Sequence, residues 1–106
     1  MPRFSIIVPC FNAAATLGAT LDSLRAQDFP DWEAILVDDG STDATPALLA
    51  GAAGQDARIR WRHNPRRGPS AARNHAALAE ARGEILAFCD ADDLWSPDKL
   101  SRLNRA

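Results

Sequence analysis

Short apolar runs alternate along the chain with amphipathic stretches. Phe4 to Val8 (FSIIV) is apolar and rich in β-branched residues, which predicts a strand buried on both faces. Pro9 is expected to end it. Leu17, Leu21 and Leu24 then recur at spacings of four and three, one face of a helix over roughly Ala13 to Gln27. Phe29-Pro30-Asp31 breaks that helix, and Trp32 to Val37 (WEAILV) forms the second strand. Ser41-Thr42-Asp43 offers N-caps, with Ser41 and Asp43 expected to cap, and Pro46 suits a first turn. The helix they open runs to about Gly54. From Arg58 to His63, Ile59 and Trp61 point one way and Arg58, Arg60 and Arg62 the other, which predicts a half-exposed strand at a sheet edge. Asn64-Pro65 turns the chain. Gly68-Pro69 opens a helix to about Arg82, and Gly83 caps it. Glu84 to Cys89 (EILAFC) reads as a fourth strand, and Ser96-Pro97 starts a last helix. The order βαβαβαβα predicts an α/β fold, with a parallel sheet, right-handed crossovers and helices on both faces.

Composition narrows the class. The 106 residues allow one domain, 1–106. An apolar content of 46% with 25% charged residues excludes a disordered or fibrous chain. A net charge of -2 argues against a nucleic-acid partner held by phosphate contacts. No apolar run approaches the roughly 20 residues of a membrane span, and the N-terminal run is too short for a signal peptide. Cys10 and Cys89 are too few for a disulfide scaffold and have no metal-ligand partners at zinc spacing. They imply thiols in a reducing, cytoplasmic setting. His63 and His75 also lack ligand partners at a metal-binding spacing and read as structural or surface residues.

In parallel sheets ligands bind beyond the carboxyl ends of the strands. The residues with chemistry cluster there: Pro9 to Asn12, Asp38 to Asp43, and Asp90 to Asp93. Asp90, Asp92 and Asp93 place three carboxylates within four residues. Crowded acids repel one another unless a cation compensates, and hard divalent ions such as Mg²⁺ or Mn²⁺ take such oxygen ligands. An acidic loop and helix cap is the plainer alternative. Asp38 and Asp39 could serve a turn, or accept a hydrogen bond from a base or ribose. Phe11 could stack on a base or cover the helix packing beneath it. Arg73 could reach a phosphate or stay a solvated helix residue.

These segments together resemble the nucleotide-binding half of family-two glycosyltransferases, which have the GT-A fold. The matching stretches are IIVPCFN (Ile6 to Asn12), ILVDDGSTD (Ile35 to Asp43), GPSAARN (Gly68 to Asn74) and FCDADD (Phe88 to Asp93), then Trp95-Ser96-Pro97-Asp98-Lys99-Leu100. The resemblance implies a Rossmann-like sheet in the order 3-2-1-4. It also implies a nucleoside-diphosphate sugar donor, often a UDP-sugar, a divalent cation (Mn²⁺ or Mg²⁺) and transfer with inversion. On the same ground Pro9, Phe11 and Asn12 belong to the base-contacting loop, with Phe11 stacking. Asp39 accepts from the uracil, and Arg73 lies near the nucleotide. Asp90 turns toward the ribose and the metal shell, and Asp92 toward the metal that bridges the diphosphate.

The family's acceptor half and its general base are expected downstream of Ala106, and Asp98 follows the metal motif too closely to be that base. The chain is therefore expected to hold the donor and metal site, to contain no catalytic base and to transfer nothing alone. The acceptor (saccharide, lipid or protein) is open. A cytoplasmic place extends to the inner face of a membrane, and an exposed half-domain surface favours self-association. A nucleotide-binding module without turnover is the rival reading. A receiver domain is disfavoured because the one lysine, Lys99, sits in the last helix, and a dinucleotide dehydrogenase because no G-x-G-x-x-G follows the first strand.

Overall fold

A computed structural model describes residues 2–63 and 80–105. Strands β1 (Phe4–Cys10), β2 (Trp32–Asp38), β3 (Ile59–His63) and β4 (Ile85–Phe88) form one parallel sheet in the expected order β3-β2-β1-β4. The described helices are α1 (Leu17–Arg25), α2 (Thr45–Gln55) and α3 (Lys99–Arg105). Phe4, Ile6, Val8 and Cys10 of β1 share one face with Trp32, Ala34 and Leu36 of β2. That face packs against Leu17, Leu21 and Leu24 of α1, Leu49 and Ala52 of α2, and Leu100 of α3. Ile7, Ile35 and Val37 form a smaller buried cluster on the opposite face. The helix expected to cover it falls, through residue 79, outside the described residues. Residues 80–82 are not helical, so that helix does not reach Arg82.

Several expected boundaries move, each for a local reason. Pro9 does not end β1: it pairs in register with Val37, and the strand runs on to Cys10. Ile7 accepts the Cys89 N–H at 3.0 Å, so alternate residues of β1 present their backbone polar groups toward β4. Pro9 would do the same, but β4 ends at Phe88, opposite Ile7, so the missing proline N–H costs no ladder bond there. Helix α1 starts at Leu17 rather than Ala13. The Ala13 and Ala14 N–H groups are taken by Thr45 Oγ1 (2.9 Å) and Asp43 Oδ2 (3.2 Å), which holds 13–16 as a turn tied to another segment. The cap of α2 is Ala44, with no side-chain cap bond. Ser41 accepts from Asn12 and so joins two loops instead of capping, whereas Asp43 accepts the N–H of Thr45, the first residue of α2, as well as that of Ala14. Those bonds, the Thr45 hydroxyl first, hold the Asp43 carboxyl below its usual range.

Gly83 is required by close approach rather than as a helix cap. A Cβ there would lie 2.6 Å from Ser5 N and 2.7 Å from the Phe4 carbonyl carbon. Its N–H donates to Ser5 Oγ at 2.7 Å. Ser5 Oγ in turn donates to the buried Glu33 carboxylate at 2.5 Å, which also accepts the Arg82 N–H at 2.6 Å and pairs with Arg60. Burial pushes the Glu33 carboxyl up, but these partners outweigh it and leave the group below the ordinary glutamate value. The cluster fixes the entry to β4 and so the height of the acidic turn beyond it. Leu86 and Phe88 stand exposed on β4, an apolar edge of the kind expected to favour association.

Candidate functional site

Three segments meet at the carboxyl ends of β1, β2 and β4. The loop after β1 turns at Asn12, whose φ of 47° is left-handed, a conformation asparagine tolerates better than most residues. That turn lets Asn12 Oδ1 accept the Thr42 N–H at 2.8 Å while the Asn12 N–H donates to Ser41 Oγ at 2.9 Å. The Asp39 N–H donates to the Cys10 carbonyl at 2.9 Å, and Asp38 Oδ1 accepts the Ser41 N–H at 3.2 Å. The loops after β1 and β2 are thus bolted together by the side chains of Asn12 and Ser41 and by the Asp39 N–H.

Beyond β4, Asp90-Ala91-Asp92-Asp93 forms a tight turn closed by the Asp93 N–H on the Asp90 carbonyl at 3.0 Å. Helix α1 holds this turn from the side. Thr16 Oγ1 and Thr20 Oγ1 both donate to the Ala91 carbonyl, each at 2.9 Å. Further along, Ser23 Oγ accepts the Trp95 N–H at 3.2 Å. Gln27 donates to the Ser96 carbonyl and accepts the Leu100 N–H. The leucine stripe of α1 was legible in the sequence. Its neighbouring stripe of hydroxyls and amide, Thr16, Thr20, Ser23 and Gln27, was not singled out, although its spacing of three to four is visible in the same window.

Together these loops bound an open cavity of about 420 Å³, lined by Pro9, Cys10, Phe11, Asn12, Ala13, Thr16, Asp90, Ala91 and Asp92. Of the residues expected at the site, Pro9, Phe11, Asn12, Asp90 and Asp92 therefore share one cavity. Phe11 is 51% exposed at the rim of this cavity. Asp39 stands beside the lining, tied to it through Cys10. Arg73 lies outside the described residues.

Carboxylate oxygens of Asp90, Asp92 and Asp93 lie within 4.8 Å of one another, and all three side chains are exposed. Oxygens around one Mg²⁺-sized ion sit at about 2.1 Å from it, hence within about 4.2 Å of each other. Small rotamer changes would bring this set onto a single hard cation, so the donors fit the expected group. Asp93 joins the two acids that the motif alone selects. Buried Cys89 reports the local field: burial first, then the Asp93 and Asp90 carboxylates, pushes its thiol up to about 12. It stays protonated at neutral pH and is no nucleophile. Cys10 and Cys89 are thiols rather than a disulfide, as expected. No described helix is long and apolar enough to cross a membrane.

The sequence profile described as Glycosyl transferase family 2 matches residues 5–106. The succinoglycan biosynthesis protein ExoO of Rhizobium meliloti is 41% identical over 104 residues, covering 97% of this chain and 29% of that protein. A Campylobacter jejuni protein named GalNAc(5)-diNAcBac-PP-undecaprenol beta-1,3-glucosyltransferase is 37% identical over 105 residues, covering 97% of this chain and 34% of its own length. Among solved structures, S. aureus TarS 1-349 in complex with UDP-GlcNAc superposes with a TM-score of 0.87 at 33% identity, over 99% of this chain and 30% of that one. The mannosyltransferase PcManGT of Pyrobaculum calidifontis, in complex with GDP-Man and Mn²⁺, gives 0.85 at 36% identity, over 94% and 30%. The chain thus spans about a third of the length of each of these proteins.

Proposed function

The chain belongs to glycosyl transferase family 2, and we propose that it forms the donor-binding portion of an enzyme that moves a sugar from a nucleoside diphosphate, UDP first, to an acceptor hydroxyl. Transfer is metal-dependent and inverts the anomeric carbon. The observation that carries this reading is the convergence of Phe11, Asn12, Asp90 and Asp92 on one cavity at the strand ends.

Each residue has a physical task. Phe11 presents an exposed flat face on which a base can stack. Asp39, held beside the loop by the Cys10 carbonyl, accepts an N–H of the base. Asp90 and Asp92, with Asp93 alongside, would hold the divalent cation, and the family resemblance also assigns Asp90 to the ribose. When bound, that cation neutralises charge developing on the departing diphosphate. Thr16 and Thr20 keep the acidic turn in place beforehand, so little reorganisation is needed during transfer. Arg73 is assigned a place near the nucleotide by the Ala-Arg-Asn motif of the resembled family alone. Inversion needs no protein nucleophile, and the thiol nearest the acids, Cys89, supplies none. The general base belongs to a part of the enzyme beyond the residues of this site, so the chain alone is expected to bind nucleotide weakly, if at all, and to transfer no sugar.

The test is a titration of the chain with UDP, with and without Mn²⁺, beside the Asp92→Asn variant, which keeps shape and removes charge. Mn²⁺ is expected to strengthen UDP binding on the order of tenfold or more, and Asp92→Asn to abolish most of that gain. Equal affinity of the two proteins, or no gain from metal in the unaltered chain, refutes the metal assignment. Robust transfer from UDP-sugars by the chain alone refutes the placement of the base.

A further inference from the structure

Asp38 is a buried carboxylate that the donor site does not use directly. It ends β2 with no accessible surface. Its Oδ1 accepts the Ser41 N–H, which shapes the turn carrying Asp39 and Gly40. Its Oδ2 lies 2.9 Å from Nδ1 of His63. The two residues face each other in register as the last pair of β2 and β3. The contact has ion-pair distance but not hydrogen-bond alignment, and that oxygen has no hydrogen-bond donor among the described residues. A carboxylate withdrawn from water needs a compensating charge. Among the described residues, His63 is the one basic side chain at ion-pair distance from it. The His63 side chain is 56% exposed, so a position that reads in sequence as structural or surface carries the only accessible end of this pair.

We propose that His63 is a positioning residue for nucleotide recognition: its imidazole, when protonated, supplies the counter-charge that Asp38 Oδ2 faces at 2.9 Å, and through Asp38 and Ser41 it sets the turn that aims Asp39 at the base. The path is continuous. Asp38 holds Ser41, Ser41 Oγ accepts the Asn12 N–H, and Asn12 follows Phe11 at the cavity rim. Without His63 the buried carboxylate has no compensating cation among the described residues, and turning it toward water carries the Ser41 turn with it. His63 itself touches no ligand. It therefore acts on the base end of the donor and leaves the diphosphate end to the acidic turn beyond β4. This inference rests on the donor-site reading above.

The experiment compares UDP with inorganic pyrophosphate, both with Mn²⁺, because pyrophosphate carries the diphosphate without a base. His63→Leu is expected to weaken UDP about tenfold and pyrophosphate by less than about twofold, a selectivity that general loss of structure does not produce. His63→Arg, which keeps a cation at the same register position, stays within about threefold of the unaltered chain for UDP. In an Asp38→Asn background, which keeps the Ser41 acceptor and removes the charge, His63→Leu changes UDP binding by less than about twofold. Should His63→Leu fail to fold by circular dichroism, His63→Gln, which keeps an N–H donor without the charge, replaces it. Equal losses for UDP and pyrophosphate, no loss for either, or an undiminished effect in the Asp38→Asn background overturns the role of His63 alone. An unaltered chain that binds neither ligand overturns the donor-site reading, and this inference with it.

Discussion

The Ala91 carbonyl, at the centre of the acidic turn, receives hydroxyl donors from Thr16 and Thr20, each at 2.9 Å. Replacing either threonine by valine keeps the β-branched shape and removes one donor. Thr20 is fully buried, and its loss removes one net hydrogen bond, about 1 kcal/mol. Thr16 occupies the N-cap position of α1 but makes no side-chain cap bond, so Thr16→Val loses no capping and also costs about 1 kcal/mol or less. After either single change the other hydroxyl still serves the carbonyl. The double variant strips it of both. Ala91 is only 9% accessible, so its carbonyl then carries a desolvation penalty of about 1–3 kcal/mol beyond the two bonds. The double variant is therefore expected to lose about 3–5 kcal/mol, exceeding the sum of the singles by about 1–3 kcal/mol. Urea unfolding followed by tryptophan fluorescence measures this. With a slope of about 1–3 kcal/mol per molar, each single change shifts the midpoint by roughly 0.3–1 M. Mn²⁺-dependent UDP binding should fall in the same order as the midpoints. Losses that add within about 0.3 kcal/mol show that the two hydroxyls do not share one acceptor, and refute the bracing of the acidic turn by α1.

Two further outcomes follow from the same physical reasoning. Gly83→Ala should destabilise by about 1–3 kcal/mol, because its Cβ would meet β1 backbone at 2.6–2.7 Å. Gly18→Ala, on an open surface of α1, should stabilise by about 0.5–1 kcal/mol, and thermal midpoints that move in the same direction for both would contradict the close approach at residue 83. Glu33, whose folded carboxyl lies below the ordinary glutamate value, contributes stability that is present above about pH 4.5 and is lost as pH falls through its folded value. Glu33→Gln should therefore be less stable at neutral pH and show a shallower loss between about pH 5 and pH 3 in urea titrations. Parallel pH profiles would show that Ser5, Arg60 and the Arg82 amide do not hold the charged form.

Periodicity was enough to read the strand–helix alternation of the described residues and the edge position of β3, because apolar spacing reports which face of an element is buried, while the sheet order came from the family resemblance. The clusters after β1, β2 and β4 were legible for a related reason: a parallel sheet brings all its carboxyl ends to one side, whatever the side chains are. Other features arise only where segments distant in sequence meet. Pro9 stays in its strand because β4 has already ended beside it. Gly83 is required because β1 passes 2.6 Å from where its side chain would be. Ser41 serves the loop after β1, and Asp43 serves both that loop, through the Ala14 N–H, and the first residue of α2, through the Thr45 N–H. His63 offers no metal-ligand spacing and gains meaning only from lying opposite buried Asp38 across the sheet. Spacing along one segment records which face is buried. Which buried polar group finds which partner is set by the register of neighbouring strands, and that is a property of the tertiary structure.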